Sequence, residues 1–462
     1  MMKKFVAGLL VGAMLMGGVS FASSTRVEAS LETLNFYING QQYQHGVLFY
    51  QDRTYAPVRW LNEVLGEEVT WDGATRSIHI GHKEDLPVDM PAEQAGEYDN
   101  GTYRGNYSDS GVMQVGVQFR LTDDVISDVR YRHLYYSDTD FRTMEEGNPF
   151  YAVKLQHDQV AEYLEGKPVS ALFDLYDPGS IIDDVDTFSG ATIRGNKIFS
   201  AFQDALNRGV YSPADGVTRV IGSYDDGTYR GIYNDAGEMQ VSIQFKLADN
   251  TVSDVRFRHL AYAGTNFRTL EEADALYAVT QQHQQIIDYL EGKPLENIFD
   301  LYTPGDFIED VDTFSGATIR GNKVFSAIKD GLNRGIYQPA NGFSTAINAP
   351  DGRYRGTYED SGEQQVSIQF SIENGNLKDI RFRHLAYAGM DYRSMEEGDP
   401  FFGILQQYQQ AAEYLEGKPV ETIFQLHTPG GFIEDVDTFS GATLRGNKMF
   451  SAMMDGLNRG IY

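Results

Sequence analysis

The nonapeptide DVDTFSGAT occurs three times, at residues 184–192, 310–318 and 435–443, each time followed by one apolar residue and then RGNK. Its chemistry-bearing residues are Asp186, Ser189 and Thr192; Asp312, Ser315 and Thr318; and Asp437, Ser440 and Thr443. Between the two hydroxyls stand residues with little or no side chain: Gly190 and Ala191, Gly316 and Ala317, Gly441 and Ala442. Small residues let a bulky group approach the backbone, and the free N–H groups at a helix start bind phosphate. A threonine in that setting can contact a phosphate or be esterified to one. The aspartate can cap the turn, or orient the hydroxyl or a metal used during modification.

Asp, Ser and Thr are also ordinary helix caps. One comparison within the chain weighs against capping alone. The segment before each nonapeptide has drifted, from NPFYAVKLQHDQVAEYLEG to ADALYAVTQQHQQIIDYLEG to DPFFGILQQYQQAAEYLEG, while the nonapeptide is unchanged. Arg194, Arg320 and Arg445, two residues past each threonine, can pair with the single charge of a phosphodiester. A second recurring motif, RYRH, RFRH and RFRH, ends at His133, His259 and His384. On a regular strand its two arginines share one face and the aromatic and histidine share the other. These arginines either sit near a bound group or balance neighbouring acids, and Arg142, Arg268 and Arg393 pose the same choice. One histidine per copy, with no second ligand at a zinc spacing, builds no zinc site. DVDTFSG lacks the EF-hand ligand at its fifth position and the glycine at its sixth, and no Walker, dinucleotide or G-x-S-x-G motif is present.

The pattern Asp-x-x-Ser-Gly-Ala-Thr, after a sheet opened by DGTYRG and before a terminal amphipathic helix, resembles the FMN-binding domain of the NqrC and RnfG electron-transport subunits and of extracellular flavoproteins. That resemblance implies FMN held covalently, by a phosphodiester to the threonine hydroxyl, attached by a separate flavin transferase. The acceptors it implies are Thr192, Thr318 and Thr443, up to three flavins per chain. Family members commonly carry a further Ser or Thr where this chain has Arg194, Arg320 or Arg445. Nearer the N-terminus, YING, DRTYAPVRWLNEVLGEEVTWD and SIHI resemble the copper amine oxidase N-terminal-like (stalk) domain, a structural or anchoring module with no oxidase chemistry implied.

The elements that must position these residues follow from self-comparison. Three copies run over 98–211, 224–337 and 351–462, with Gly101, Gly227 and Gly352 offset by the same 126 and 125 residues as the three threonines. That period is far above the ~20 to 50 residues of a solenoid unit, so each copy is a domain. In copy two, alternating apolar and polar residues around Asn/Gly/Asp turns predict an antiparallel meander. A helix follows over about 273–291, and a second from Asn322 carries Val324, Phe325, Ile328 and Leu332 inward and ends at Gly335. The nonapeptide then lies in the loop entering the last helix, and the fold class is α+β. The stalk-like unit, 31–82, reads as a helix through VRWLNEVL after Pro57, ended by Gly66, then a hairpin turning at Asp72-Gly73, with Trp60 and Trp71 in its core.

Composition bounds the function. The chain has 462 residues, 41% hydrophobic and 23% charged, enough to bury several cores. Its net charge of -28 argues against nucleic acid and against adhesion to anionic lipid. Residues 1–29 read as a secretory signal peptide, too short in its apolar run to span a bilayer, so no transmembrane segment is expected after cleavage. With no cysteine there is no lipid-modified Cys, disulfide, thiolate metal site, c-type haem or iron–sulfur cluster. The expectation is a secreted, envelope-associated, non-catalytic electron carrier, matured by a flavin transferase and exchanging electrons with donor and acceptor proteins or small molecules. The alternative is a flavin-free extracellular adhesion or envelope-interaction protein using its tandem domains multivalently.

Overall fold

The computed structural model describes residues 30–38, 41–50, 53–55, 69–72, 77–80, 98–136, 138–182, 191–309, 317–340, 344–433 and 442–462. The chain divides into two compact units, Met1–Glu93 and Gln94–Tyr462.

In the first unit, β1 (Ser30–Ile38), β2 (Gln41–Tyr50) and β3 (Arg53–Tyr55) form an antiparallel meander. A separate antiparallel pair, β4 (Val69–Asp72) and β5 (Ser77–Ile80), registers Trp71 against Ile78 and Asp72 against Ser77, so the pairing is as expected but Asp72 ends the strand instead of turning the hairpin. The helix read through VRWLNEVL, with Pro57, Trp60 and Gly66, and the turn residue Gly73 lie outside the described residues.

The second unit contains all three repeats, each α+β. In repeat 1, β6 (Gly101–Asp109), β7 (Val112–Thr122) and β8 (Val125–Tyr136) make an antiparallel meander, edged by the two-residue strands β9 (Thr139–Asp140) and β10 (Ser212–Pro213). Helices α1 (Tyr151–Leu164) and α2 (Ala191–Arg208) follow β9. Repeat 2 uses β11 (Gly227–Asp235), β12 (Glu238–Ala248), β13 (Thr251–Tyr262), β14 (Thr265–Asn266) and β15 (Gln338–Pro339), with α3 (Tyr277–Leu290) and α4 (Ala317–Asn333). Repeat 3 uses β16 (Gly352–Asp360), β17 (Glu363–Glu373), β18 (Asn376–Tyr387) and β19 (Met390–Asp391), with α5 (Phe402–Leu415) and α6 (Ala442–Arg459).

Two helix starts differ from the sequence reading. α3 begins at Tyr277 rather than near 273, because residues 273–276 close a turn in which the Tyr277 N–H donates to the Asp274 carbonyl. α4 begins at Ala317, not Asn322. The sequence reading starts the helix at the NKVF segment where the apolar stripe is plain, and the small and polar residues before it carry no periodic signal. The last two residues of every nonapeptide are therefore helical.

The terminal helix lies directly on the first strand of its own repeat. A methyl at Gly105 would collide with the Ala201 carbonyl and the Ala205 backbone, and Gly231 and Gly356 meet α4 and α6 in the same way. The glycine of YRG is thus a close-approach residue. Phe202 of α2 then reaches Phe119 of β7, with ring centres 4.6 Å apart.

The three repeats close on one another. At the inner ends of the terminal helices, Arg208 meets Asp204 and, in the next repeat, Asp330, each at 3.0 Å. Arg334 meets Asp330 at 2.8 Å and Asp455 at 3.2 Å, and Arg459 meets Asp455 at 2.9 Å and Asp204 at 3.4 Å. Six buried charges form a closed alternating ring. Arg208 is at ion-pair distance from both aspartates but out of line for hydrogen bonds to them. Each arginine also donates to a carbonyl on the first strand of the following repeat: Arg208 to Ile232, Arg334 to Thr357 and Arg459 to Asn106. Each aspartate accepts a backbone N–H from its own first strand, at Asn106, Ile232 or Thr357. A second ring is parallel to the first: Asn207 donates to the Asn458 carbonyl, Asn458 to Asn333 and Asn333 to Asn207.

Candidate functional site

Of the nonapeptide residues, Asp186, Ser189 and Gly190, Asp312, Ser315 and Gly316, and Asp437, Ser440 and Gly441 lie outside the described residues. Ala191 and Thr192 are the first two residues of α2, Ala317 and Thr318 of α4, and Ala442 and Thr443 of α6. Each threonine therefore belongs to the first turn, where backbone N–H groups have no partner within the helix.

The RGNK that follows resolves into four separate jobs. The arginine reaches across to the preceding helix: Arg194 Nη1 donates to Gln156 Oε1 at 3.4 Å, Arg320 to Gln282 at 3.5 Å and Arg445 to Gln407 at 2.8 Å. Burial pulls the Arg194 and Arg320 guanidinium values below the ordinary arginine range. The glycine permits close approach, since a side chain at Gly195, Gly321 or Gly446 would strike the carbonyl of Leu175, Leu301 or Leu426. The asparagine is buried at 196, 322 and 447, and Asn447 Oδ1 accepts from His427 Nδ1 at 2.9 Å. The lysine stands over a tyrosine ring: Lys197 over Tyr136 at 4.8 Å, Lys323 over Tyr262 and Lys448 over Tyr387 at 4.6 Å. Burial lowers each of these lysines to about 8.

The RYRH motif builds the seams between repeats. Gly116 registers with His133 and Val117 with Tyr131, so Arg132 is the extra residue of a β-bulge, and the same bulge recurs at Arg258 and Arg383. The regular alternation expected for this strand is broken there. Consequently Arg132 and His133, adjacent in sequence, both meet repeat 2: Arg132 pairs with Asp235 at 2.5 Å, and the His133 ring lies on the turn at Gly237. Arg258 pairs with Asp360 at 2.7 Å, and Arg383 with Asp109 at 2.8 Å, which closes repeat 3 onto repeat 1. The second arginine thus balances an acid, one belonging to the neighbouring repeat, while Arg130, Arg256 and Arg381 stay exposed. Arg142, Arg268 and Arg393 support the bulge by donating to the carbonyls of Arg132, Arg258 and Arg383.

Each seam is completed by a second arginine and a tyrosine stack. Arg104 lies over Tyr211 at 4.1 Å and pairs with Asp235 at 3.3 Å, and Tyr211 stacks on Tyr233 at 5.6 Å. Arg230, Tyr337, Tyr358 and Asp360 repeat the arrangement, as do Arg355, Tyr462, Tyr107 and Asp109. Burial alone would raise the Asp109 and Asp360 carboxyls, but Arg383 and Arg258 outweigh it and hold them below the ordinary carboxylate range. Burial keeps His133, His259 and His384 below the usual histidine value. No cluster that could hold a metal ion occurs among the described residues.

The seam acids and the central Asp/Arg ring are absent from the sequence reading. Two signals in the chain mark them. The triplet Tyr-x-Asp ends the first strand of every copy, and DALNRG, DGLNRG and DGLNRG place an Asp and an Arg four apart within an apolar stripe.

Residues 19–80 match the copper amine oxidase N-terminal domain family, so the match begins inside the 1–29 segment read as a signal peptide and ends within the 31–82 unit. No curated protein and no solved structure matches the chain.

Proposed function

We propose that the protein is an electron carrier whose three repeats each hold one FMN, joined through its phosphate to Thr192, Thr318 or Thr443. One observation carries this reading: an unchanged DVDTFSGAT, in three copies whose neighbouring helices have diverged, with its threonine in the first turn of a helix of 17 or 18 residues each time. The donor set fits the group. The N–H groups of a helix's first turn, which have no acceptor within the helix, suit a singly charged phosphodiester, and Arg194 and Lys197, like their counterparts Arg320 and Lys323, Arg445 and Lys448, add positive charge to the same end of the helix. The Arg in place of the family's hydroxyl already has a use, since it ties the terminal helix to Gln156, Gln282 or Gln407.

Bound FMN supplies the one- and two-electron chemistry, and the chain's own residues bind the phosphate, hold the helix start in place and set the local charge. The partners of such a carrier are a flavin transferase for maturation and redox donors and acceptors at the cell envelope. Extracytoplasmic placement rests on the 1–29 segment. No helix among the described residues is long and apolar enough to cross a membrane. The reading is tested by producing the full chain with a flavin transferase and denaturing it on a gel. Flavin fluorescence that stays with the band supports it, and its persistence in the Thr192→Ala, Thr318→Ala, Thr443→Ala triple variant contradicts it.

A further inference from the structure

The sheet of each repeat has a second face. Phe119 of β7 packs on Phe202 of α2, so Gln118 and Arg120, its neighbours in the strand, point away from that helix. Cross-strand partners share a face. Register therefore adds Thr102 of β6, opposite Arg120, and Arg130 of β8, opposite Gln118. Together with Asp128 and Val129 these residues line an open cleft of about 380 Å³, within the size range of small-molecule sites.

The other repeats build the same face with one exchange. Repeat 2 sets Thr228 opposite Lys246 and Gln244 opposite Arg256. Repeat 3 sets Arg353 opposite Ser371 and Gln369 opposite Arg381. Hydroxyl and cation have changed strands there, yet the pair has kept its place on the sheet. An ion pair does not explain the retention. Arg120 meets Asp128 at 3.4 Å and Lys246 meets Asp254, but among the described residues Asp379 has no cation at ion-pair distance and Arg353 no carboxylate. Arg130, Arg256 and Arg381 likewise have no carboxylate at that distance among the described residues, in a chain with 66 acidic residues against 38 basic ones. What recurs is a cation, a hydroxyl and a second guanidinium on one sheet face, beside an aspartate. Each of these aspartates has left-handed backbone, at φ 52°, 48° and 51°, and its N–H is held by Glu165, Glu291 or Glu416.

We propose that the cleft of repeat 1, with its counterparts in repeats 2 and 3, binds a sugar carboxylate of the uronate type. Arg120 and Arg130 hold the carboxylate, while Thr102 and Asp128 take the ring hydroxyls. A simple anion leaves Asp128 facing like charge, and a neutral sugar leaves the guanidinium of Arg130 unused. A ligand bearing both a carboxylate and hydroxyl donors engages every polar group. The site lies on the sheet face turned from α2 and needs neither the nonapeptide nor a flavin. A free sugar acid and a uronate within a polysaccharide share this chemistry.

The test titrates the full chain by calorimetry with galacturonate, galactose, inorganic phosphate and trigalacturonate. Galacturonate is expected to bind, and galactose and phosphate about tenfold or more weakly, since each forgoes part of the contacts. Arg130→Gln, Arg256→Gln and Arg381→Gln together should weaken galacturonate binding about tenfold or more. The melting temperature should not move, because all three arginines are exposed. In a chain that keeps only the first site, through Arg256→Gln and Arg381→Gln, Arg120→Thr should abolish binding. Adding Thr102→Arg, which copies the arrangement of repeat 3, should restore it. No galacturonate binding, galactose or phosphate binding as tightly, unchanged binding in the triple variant, or a strand exchange that fails to restore binding overturns the proposal. Trigalacturonate binding far more tightly than the monomer supports it with a polysaccharide as the source, and equal affinities support it with the free sugar acid.

Discussion

Asp455 is a charged residue in the middle of a helix stripe that otherwise faces the core, and it holds two arginines and a strand together. Burial would raise its carboxyl, but Arg334 and Arg459 outweigh that and keep it below the ordinary range. Replacing one partner of a buried, hydrogen-bonded pair leaves the others uncompensated, at about 3–5 kcal/mol. Asp455→Ala is therefore expected to lower the unfolding free energy by that much in urea, whereas neutralising the exposed, solvent-screened pair Lys246–Asp254 is expected to leave it nearly unchanged. The sign of the pH dependence follows from the same groups. Asp109, Asp360 and Asp455 have folded values below their unfolded ones, so their contribution is complete above the ordinary carboxylate value of about 4 and is lost as the pH falls through the lower folded value. The melting temperature should fall steeply below about pH 4, and less steeply in Asp109→Asn, which has already lost one such group.

Among the elements, the strands were legible and their irregularities were not. Alternation around Asn, Gly and Asp turn residues locates the meander, and amphipathic segments locate both helices. The bulge at Arg132 leaves no trace in alternation, because it depends on which residue of β7 stands opposite. What fixes a second bulge is also distant: Glu165, at the end of α1, accepts the backbone N–H groups of Asp128 at 3.1 Å and Val129 at 2.7 Å. The first turn of each terminal helix was missed because its small and polar residues carry no apolar period. The glycine of YRG, quoted as a motif, has a plain mechanical reading once the helix is seen against it. Gly105→Val should force α2 off β6 and cost about 1–3 kcal/mol or more, while Gly430→Ala, which meets nothing within 4 Å, should be nearly neutral. Chemical denaturation of the two variants side by side checks the contrast.

At the scale of the molecule, three tandem copies were plain in the sequence and their closure was not. Arg383 and Asp109 are 274 residues apart, and no local pattern announces such a pair. Only repetition hints at it, through charged residues that recur where an apolar stripe should continue. Closure has a thermodynamic consequence. Repeats 1 and 2 share one continuous apolar core, and ion pairs, tyrosine stacks and asparagine contacts bind repeat 3 to both. Residues 94–462 should therefore unfold in one calorimetric transition, and Arg383→Gln at a single seam should lower its midpoint rather than split it. Three separate transitions would mean that the repeats behave as independent beads. Closure also places the three equivalent threonine-bearing helices in one compact unit, an arrangement the proposed carrier would use to pass electrons among its flavins. The proposal underneath that arrangement is chemical and is read most directly by mass. Intact mass spectrometry of the chain produced with a flavin transferase should show up to three FMN increments, falling by one with each of Thr192→Ala, Thr318→Ala and Thr443→Ala; a chain that emerges colourless and unmodified, or keeps all its increments in the triple variant, contradicts the account.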